Sequence, residues 1–408
     1  MPGIRILPES VPSECTVMED IESGVNAVMD DIVAGLTRPL SAEEKSPQTK
    51  DSGKPSRIIF KGSLIEINQF FYRRGWTDGL PIIPPTEEEV AEMLAGTDLP
   101  PDHLVGKIIP RLGKATVEKI AINAVMAGAL PTYMPVLIAG LQALLEPGAV
   151  LHWLHSSGAS PGAFWAINGP IRNDIFVNNS YGVLSPGNIA NSAIGRAMGF
   201  IIKNIGGVRK GVEEMGCTGN PAKYNLVVGE NEEESPWEPL HVERGFIRED
   251  SVITQFTAFP DINSVGGQGT DAQGILNAMI SRLHGRGAGM ACFMVTPAYA
   301  AILSRGGFTK KDVKVFIAKN AKAPYNPRSA PITERNQQQQ TGEPVPLFSD
   351  PDKIMIVVTC GSGPVGGSVV QGGINLGSDF VSKKIELPAN WSKLVNKYKS
   401  IVPTYLMY

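Results

Sequence analysis

Hydrophobic and polar positions near the start of the chain recur at helical spacing. From Val17 to Leu36 an apolar residue returns every three or four positions, while Asp and Glu residues occupy the opposite face. This pattern predicts one amphipathic helix over residues 16–36. Residues 41–57 are rich in Lys, Ser, Glu and Pro and almost lack large apolar side chains, so they are predicted to be a flexible linker.

The main body begins near Ile58 and mixes helical and strand patterns. Ser63 is positioned to cap one helix, and Thr86 with Glu89 has the spacing of a capping box before another. Further helices are predicted over 115–126, 134–145, 188–203, 271–283, 296–303 and 309–320. Short apolar, β-rich runs predict strands over 105–109, 164–168, 224–228, 252–257, 290–295 and 353–359.

This order of elements predicts an α/β fold in which helices flank a mixed or mostly parallel sheet. The 44 Gly and 32 Pro residues cluster between periodic segments, which predicts a loop-rich protein. Because α/β proteins carry their chemistry on loops at strand ends, this favours an enzyme or binding protein for a small molecule. We divide the chain into an N-terminal helical fragment (1–40), the linker (41–57) and a main α/β catalytic region (58–408) with room for two subdomains.

The amino-acid composition limits which partners and which cellular compartment are expected. The 37 Lys and Arg residues nearly balance the 40 Asp and Glu residues and form no long basic run, so no nucleic-acid partner is expected. The longest apolar stretch, Tyr133 to Leu145, is too short to span a membrane, and the start of the chain lacks a signal-peptide pattern. The four Cys residues are far apart, which indicates reduced thiols. We therefore expect a cytoplasmic protein, and its apolar loops are compatible with a homo-oligomer.

A buried strand running directly into a glycine-rich loop is the sharpest candidate for chemistry. The run from Lys353 to Gly367 places Cys360, Gly361, Ser362 and Gly363 at the mouth of this loop. Small residues let backbone N–H groups approach a carboxylate or phosphate, and a thiol beside such donors can have a depressed pKa. The alternative is a tight strand exit with a buried, inert cysteine. The loop matches neither a Walker loop nor a dinucleotide fingerprint.

An acidic segment follows the predicted strand at 224–228. Glu230, Glu232 and Glu233 can supply acid/base or metal-ligand carboxylates, His241 titrates near neutrality, and Arg244 can clamp an anion with two hydrogen bonds. The alternative is an ordinary solvated surface. We expect this segment and the glycine turn at Cys360 to meet and enclose one cavity.

Three weaker candidates lie in polar turns. Cys217 follows Gly216 in a turn where its thiol can act as a nucleophile or simply pack within a loop. Asn179 lies in a glycine-punctuated stretch before a helix, which suits either ligand binding or ordinary capping. Trp76 and Asp78 lie in a loop stiffened by Pro and turned by Gly, which can hold them toward a substrate.

Three segments carry a resemblance to a known family. RGWTDGLPIIPPTEEEV, GNPAKYNLVVGENEEESPWEPLHVERGF and DKIMIVVTCGSGPVGG resemble an uncharacterised bacterial and fungal family that accompanies, or is fused to, UGSC-type thiol or selenol proteins. The likeness spans Ile58 to Pro388, and residues 4–44 look similar to the tail of a UGSC-type domain. Such domains resemble the aspartate/glutamate racemase group, whose members use cysteine in proton transfer or lyase chemistry on small acids. The segment bearing their signature cysteine is absent here, so the resemblance implies that any chemistry depending on it either needs a separate UGSC-type partner protein or is lost.

These observations lead to three functional hypotheses. The first is an enzyme of lyase, hydratase or isomerase type acting on a small carboxylate or sulfur-containing metabolite. It uses Glu230, Glu233 and His241 as acids or bases, Cys360 or Cys217 as the thiol, and Arg244 with the 361–367 loop as the anion site. The second is a non-catalytic partner subunit of a thiol-dependent enzyme, docked through its N-terminal helix. The third is a metal-dependent hydrolase, although no residue is assigned as a metal ligand and any cofactor stays unassigned.

Overall fold

The chain divides into two compact units, Met1–Lys61 and Gly62–Tyr408. The structure is a computed structural model, which describes residues 18–45, 57–220, 223–224, 226–266, 271–283, 289–323, 344–363, 365–372 and 377–401. The glutamine run at 337–340 lies outside the described residues.

The first unit contains the amphipathic helix expected from the sequence. Helix α1 spans Met18–Thr37 and α2 spans Ala42–Lys45. The short α2 begins where the sequence predicted a linker, because Ser41 and Glu44 cap it reciprocally. The Ser41 N–H donates to Glu44 Oε2 at 2.7 Å, and the Glu44 N–H donates to Ser41 Oγ at 3.1 Å. Residues 46–56 of the predicted linker lie outside the described residues.

Helices in the second unit begin at the expected caps. Ser63 forms a full capping box, and Thr86 accepts a hydrogen bond from the Glu89 N–H. The helices are α3 Leu64–Arg73, α4 Glu87–Leu94, α5 Val117–Ala127, α6 Met134–Leu144, α7 Leu151–Ser156, α8 Ile171–Asp174, α9 Ile189–Phe200, α10 Leu240–Glu243, α11 Ala272–Ser281, α12 Pro297–Arg305, α13 Lys310–Asn320 and α14 Trp391–Tyr398.

Eleven strands are present in the described part of the chain. They are β1 Leu104–Ile108, β2 Gly113–Thr116, β3 Gly162–Asn168, β4 Val227–Gly229, β5 Val252–Gly266, β6 Met290–Val295, β7 Lys322–Ala323, β8 Val345–Pro346, β9 Ile354–Val358, β10 Val365–Gly372 and β11 Val381–Lys384. The main sheet has the order β4-β3-β5-β10-β6-β9, and β11 also pairs with β5. Only its β3/β4 and β6/β9 pairs are parallel, so among the described strands this is a mixed sheet rather than a mostly parallel one.

The sheet curls because β5 is long and irregular. Its first half pairs with β3, and its second half pairs with β10. The β5/β10 register shifts around Pro260, which cannot donate a ladder hydrogen bond. At this bend a Cβ on Gly372 would lie 2.1 Å from the Thr257 carbonyl oxygen, so only glycine permits the close approach.

Successive residues along a strand of the curled sheet pack into different hydrophobic cores. Phe164 of β3 and Cys292 of β6 belong to a cluster on one face of the sheet. Trp165 of β3 faces the other way and packs in the cluster built with α5, α6 and α9. Phe293 of β6 similarly joins the cluster built with α11, α12 and α13. The period-two alternation of each strand therefore decides which core a side chain enters.

Several sequence predictions differ from the structure. The run at 105–109 forms a hairpin with β2 outside the main sheet, and the strand predicted at 224–228 is only Val227–Gly229. The glycine loop predicted at 361–367 ends earlier, since Val365 begins β10 inside the sheet. Glycine-rich strands such as β10 lack the apolar signature used to recognise strands, because neighbouring strands supply the packing.

No single helix in the described part of the chain is long and apolar enough to cross a membrane. The segments Pro131–Leu144 and Pro147–Ser156 pass that test only as a pair, and they are bent by 86° relative to each other.

Asn191 provides a test of how the polar loops are held on the sheet. Its buried amide accepts from the Asn178 N–H at 2.8 Å and donates to the Val227 carbonyl at 2.8 Å. Asn191→Ala leaves the buried Val227 carbonyl and the half-buried Asn178 N–H without these partners and should destabilise the protein by about 3 kcal/mol, measured by urea unfolding. The exposed Asn277→Ala on α11 is the control and should change stability by less than about 0.5 kcal/mol. Equal effects of the two variants would contradict this assignment.

Candidate functional site

The acidic segment and the glycine turn meet in the structure. The Glu230 N–H, directly after β4, donates to the Ile167 carbonyl of β3 at 3.1 Å. The next residue, Asn231, donates its N–H to the Val358 carbonyl at the end of β9, at 2.7 Å. The carboxyl ends of β3, β4 and β9 are thereby brought together.

Asn179 reaches the same place from the polar loop before α9. The Gly229 N–H donates to the Asn178 carbonyl at 3.0 Å, and the Asn179 side chain donates to the Glu230 carbonyl at 3.4 Å. The Thr359 hydroxyl in turn donates to the Asn179 carbonyl at 3.2 Å. Three of the segments singled out in the sequence therefore converge at the end of β9.

Cys360 lies in this convergence with an unusual backbone. Its φ is +71°, in the left-handed region that residues other than glycine rarely adopt. Tyr181 covers the following turn: its hydroxyl donates to the Ser362 carbonyl at 2.5 Å, and a Cβ on Gly361 would lie 2.1 Å from Tyr181 Cδ1. Ser362 and Gly363 are exposed beyond it.

The electrostatics of the Cys360 thiol are the opposite of the sequence expectation. The thiol is partly buried against the apolar cluster that contains Cys292. Burial raises the pKa of Cys360 to about 11, so the neutral thiol is favoured at physiological pH. The backbone donors of the loop do not depress this pKa as the sequence suggested, because removal of water from the thiol dominates.

Glu230 is the anchor of a buried polar network. Its carboxylate accepts from the Asn168 amide at 2.5 Å, from the Leu240 N–H at 2.7 Å and from Lys310 Nζ at 3.4 Å. The side chain is fully buried, and Lys310 is nearly so. Charged and polar donors therefore replace water around both oxygens of this buried carboxylate.

Arg172 holds the other two carboxylates of the segment. Its Nε lies 3.1 Å from Glu232 Oε1, and its terminal nitrogens donate to both oxygens of Glu233 at 3.0 and 3.1 Å. These hydrogen bonds from Arg172, aided by Asn173, lower the pKa of Glu233 to about 2. Glu233 is the most accessible of the three, with 54% of its side chain exposed.

His241 and Arg244 are also engaged within the protein. The His241 ring is fully buried, and its Nε2 lies 3.2 Å from the Arg248 carbonyl. Arg244 donates Nε to the Ser382 hydroxyl at 2.6 Å and a terminal nitrogen to the Phe380 carbonyl. Arg244 therefore links α10 to β11, and burial lowers the pKa of its guanidinium.

The remaining sequence candidates occupy other surroundings. Asp78 forms a bidentate pair with Arg196 of α9 at 2.7 and 2.9 Å, and Trp76 packs edge-on against Phe71 of α3. Cys217 is exposed in a loop, and its N–H donates to the Gly158 carbonyl at 3.1 Å. Within the described ranges, none of these contacts of Asp78, Trp76 and Cys217 involves Cys360 or the segments that meet around it.

Sequence reasoning missed the residues that organise the network. Asn168, Arg172 and Lys310 were not singled out, although Asn168 ends a predicted strand and Arg172 follows a Gly-Pro turn. Polar residues directly after a buried strand were the available signal for these two. Lys310 carried no such signal in the sequence, because its carboxylate partner Glu230 is 80 positions away in the chain.

A surface groove lies beside this network. It has a volume of about 410 Å³ and runs between α8 and α14. Asn173 and Trp391 contribute to its lining; Asn173 also donates to Glu233 at 3.2 Å, and Trp391 Nε1 donates to Asp174 at 2.8 Å. Neither Cys360 nor the turn after it lines this groove, so it is not the cavity that the sequence predicted between the acidic segment and the glycine turn.

Comparison with known proteins returns no relatives for this chain: no family model, no curated protein and no solved structure matches it. Among the described residues, no group of three or more His, Cys, Asp or Glu side chains is arranged to hold a metal ion.

The raised pKa of Cys360 makes a prediction for alkylation. Because iodoacetamide reacts with the thiolate, modification of Cys360 should be slow at pH 7 and should accelerate about tenfold per pH unit up to pH 10. Peptide mass spectrometry can follow Cys360 separately from exposed Cys217, which serves as the internal control. A rate for Cys360 that levels off below pH 9 would show that the loop stabilises the thiolate after all.

Proposed function

We propose that this chain is an enzyme of lyase, hydratase or isomerase type that moves a proton on a small carboxylate or sulfur-containing metabolite. The observation that carries the proposal is the left-handed backbone of Cys360 at the convergence of three polar segments. A non-glycine residue in this region costs on the order of 1–3 kcal/mol, and such residues cluster at functional sites.

The protonation state of Cys360 suggests its role. A thiol with a pKa of about 11 keeps its proton at neutral pH and suits a general acid better than a nucleophile. In the proposed step the S–H bond breaks and its proton forms a C–H bond on a carbanionic carbon of the substrate. In the opposite direction the resulting thiolate takes a proton from that carbon, so that the C–H bond breaks, its electron pair stays on the carbon and the S–H bond forms again.

The turn after Cys360 is suited to hold the acid group of such a substrate. Gly361, Ser362 and Gly363 carry small or no side chains, and the last two are exposed. A carboxylate can therefore approach their backbone closely. Asn179 and Tyr181 flank this turn and would contact the rest of a small substrate.

The acid/base candidates of the acidic segment fit this proposal unequally. Glu230 and His241 are fully buried, so we assign them to holding the strand ends in place rather than to contact with substrate. Glu233 is accessible, but a pKa of about 2 makes it a permanent anion and a weak base at neutral pH.

Deuterium incorporation tests the proposal without knowledge of the natural substrate. A panel of 2-amino, 2-hydroxy, 2-oxo and thiol carboxylic acids is incubated with the enzyme in D₂O and followed by NMR. We expect exchange of a carbon-bound hydrogen in at least one compound, and Cys360→Ser should slow it by about 100-fold or more because it removes the general acid. Loss of exchange in Cys217→Ser rather than Cys360→Ser would contradict the assignment, as would full exchange in both variants.

A second candidate function is supported by α1. Met18, Met29, Val33 and Leu36 are all exposed and lie on one face of this helix. We propose as the alternative that this stripe docks the chain onto a thiol-bearing partner protein as a non-catalytic subunit. A homo-oligomer built through the same stripe is the related possibility.

Charge substitution on α1 tests this alternative. The double change Val33→Glu and Leu36→Glu should abolish co-purification of a partner or reduce the oligomeric state, measured by size-exclusion chromatography with light scattering. Asp31→Ala, on the opposite side of α1, is the matched control and should leave the assembly intact. An unchanged assembly in the double variant would remove the docking role from α1.

A further inference from the structure

One oxygen of Glu232 is surrounded by an unusual set of buried groups. Glu232 Oε1 accepts from the Gly169 N–H at 2.7 Å and from the Asn168 amide at 3.1 Å. Arg172 Nε lies 3.1 Å from the same oxygen, and His241 Nδ1 lies 3.8 Å from it. Asn168 and His241 are both fully buried, whereas the Glu232 side chain keeps 10% of its surface exposed.

The hydrogen-bonding role of each His241 ring nitrogen follows from its neighbours. Nε2 faces the Arg248 carbonyl at 3.2 Å, and a carbonyl oxygen only accepts, so Nε2 carries the hydrogen. In the neutral ring Nδ1 is then a bare acceptor, and it is buried without a partner among the described residues. Its neighbour is a carboxylate oxygen, which is also an acceptor.

The orientation of the Asn168 amide is determined in the same way. Its Nδ2 lies 2.5 Å from Glu230 Oε2 and 3.1 Å from Glu232 Oε1, and ionised carboxylates only accept. The Asn168 Oδ1 is therefore an acceptor, and it too is buried without a partner in the described part of the chain. Leaving a buried polar atom unpaired costs about 1–3 kcal/mol, so two such atoms beside one carboxylate require a donor.

The charges of the surrounding ion-pair network point to the sign of that donor. Among the described residues, the carboxylates of Glu230, Glu232, Glu233 and Glu243 form ion pairs with Arg172, Lys310 and Lys314, and Glu243 also interacts with Arg244. Asp250, which also interacts with His241, is balanced by Lys384 at 2.6 Å. The missing donor therefore faces the Glu232 carboxylate as well as the two orphan acceptors, which favours a positively charged donor over a neutral one.

We propose that this cluster of buried acceptors binds an ammonium group, either the free ion or the end of a primary amine. Its N–H bonds would supply donors to Asn168 Oδ1, His241 Nδ1 and the Glu232 carboxylate, and its charge would face that carboxylate. An alkali or alkaline-earth ion is disfavoured because such hard cations prefer oxygen ligands throughout, whereas one acceptor here is an imidazole nitrogen. This inference is independent of the reaction proposed at Cys360.

Thermal unfolding at constant ionic strength tests the proposal directly. The dialysed protein is titrated with ammonium chloride and, in parallel, with potassium chloride, whose cation is of similar size but has no N–H donors. We expect ammonium to raise Tm by about 2 °C or more with saturation, since a ligand that binds only the folded state stabilises it. Methylammonium separates the two sources: a shift indicates an amine end, and no shift indicates the free ion. Equal responses to ammonium and potassium, or no response to either, would overturn the proposal.

Two matched variants locate the effect. Glu232→Gln removes the charge and places an amide donor beside the two orphan acceptors, so the ammonium response should disappear. Glu233→Gln removes an equal charge beside the same Arg172 but does not face His241, so the response should persist. If Glu233→Gln also lost the ammonium response, the effect would come from general electrostatics, and the proposed site would be wrong.

The ring nitrogens of His241 provide a readout that does not depend on a folded variant. In ¹⁵N-histidine-labelled protein without ammonium, we expect the neutral tautomer with hydrogen on Nε2, and we expect the Nδ1 resonance to move on addition of ammonium chloride. A hydrogen already present on Nδ1 in the ammonium-free protein would mean that His241 itself completes the network, and the proposal would fail.

Discussion

The architecture around the candidate site depends on the curl of the main sheet, which brings the end of β4 to the end of β9. These strands are at opposite ends of the hydrogen-bonded order, yet the Asn231 N–H bonds directly to the Val358 carbonyl. The curl is possible because β5 continues through an irregular step at Pro260 and changes partner from β3 to β10. A flat sheet with the same pairing would leave the acidic segment and the Cys360 turn far apart.

Closure of the sheet also explains why charged residues lie at its centre. Peptide groups beyond the strand ends must find partners once they are buried, and Glu230 provides them by accepting from Leu240 while Lys310 balances its charge. Buried ion pairs add little net stability, but removing one partner typically costs about 3–5 kcal/mol. Their value here is therefore specificity, because the pairing defines one arrangement of β3, β4, α10 and α13.

The parts of the fold that depend on local pattern were predictable from sequence. The helix capped by Ser63 and the strand β9 each follow from residues that are close together in the sequence. The same local pattern predicted that Cys360 lies in the turn at the end of β9. The curl was not predictable, because β10 is glycine-rich and the change of partner along β5 involves strands distant in sequence. For the same reason an ordinary solvated surface stayed open as the alternative interpretation of the acidic segment: Asn168 and Lys310 are 62 and 80 residues from Glu230. The local sequence shows which charged residues are present but not which of them pair in the fold.

The contrast between the two halves of the convergence bears on its chemistry. On the acidic side, hydrogen bonds from Arg172 lower the pKa of Glu233 to about 2 and keep that carboxylate ionised. On the β9 side, apolar packing removes water from the Cys360 thiol without supplying a charged donor, so its pKa rises to about 11. Burial of the neutral thiol disfavours formation of a lasting thiolate, since removal of water penalises the charged form. The arrangement therefore suits brief proton donation to a substrate better than attack by a persistent sulfur nucleophile.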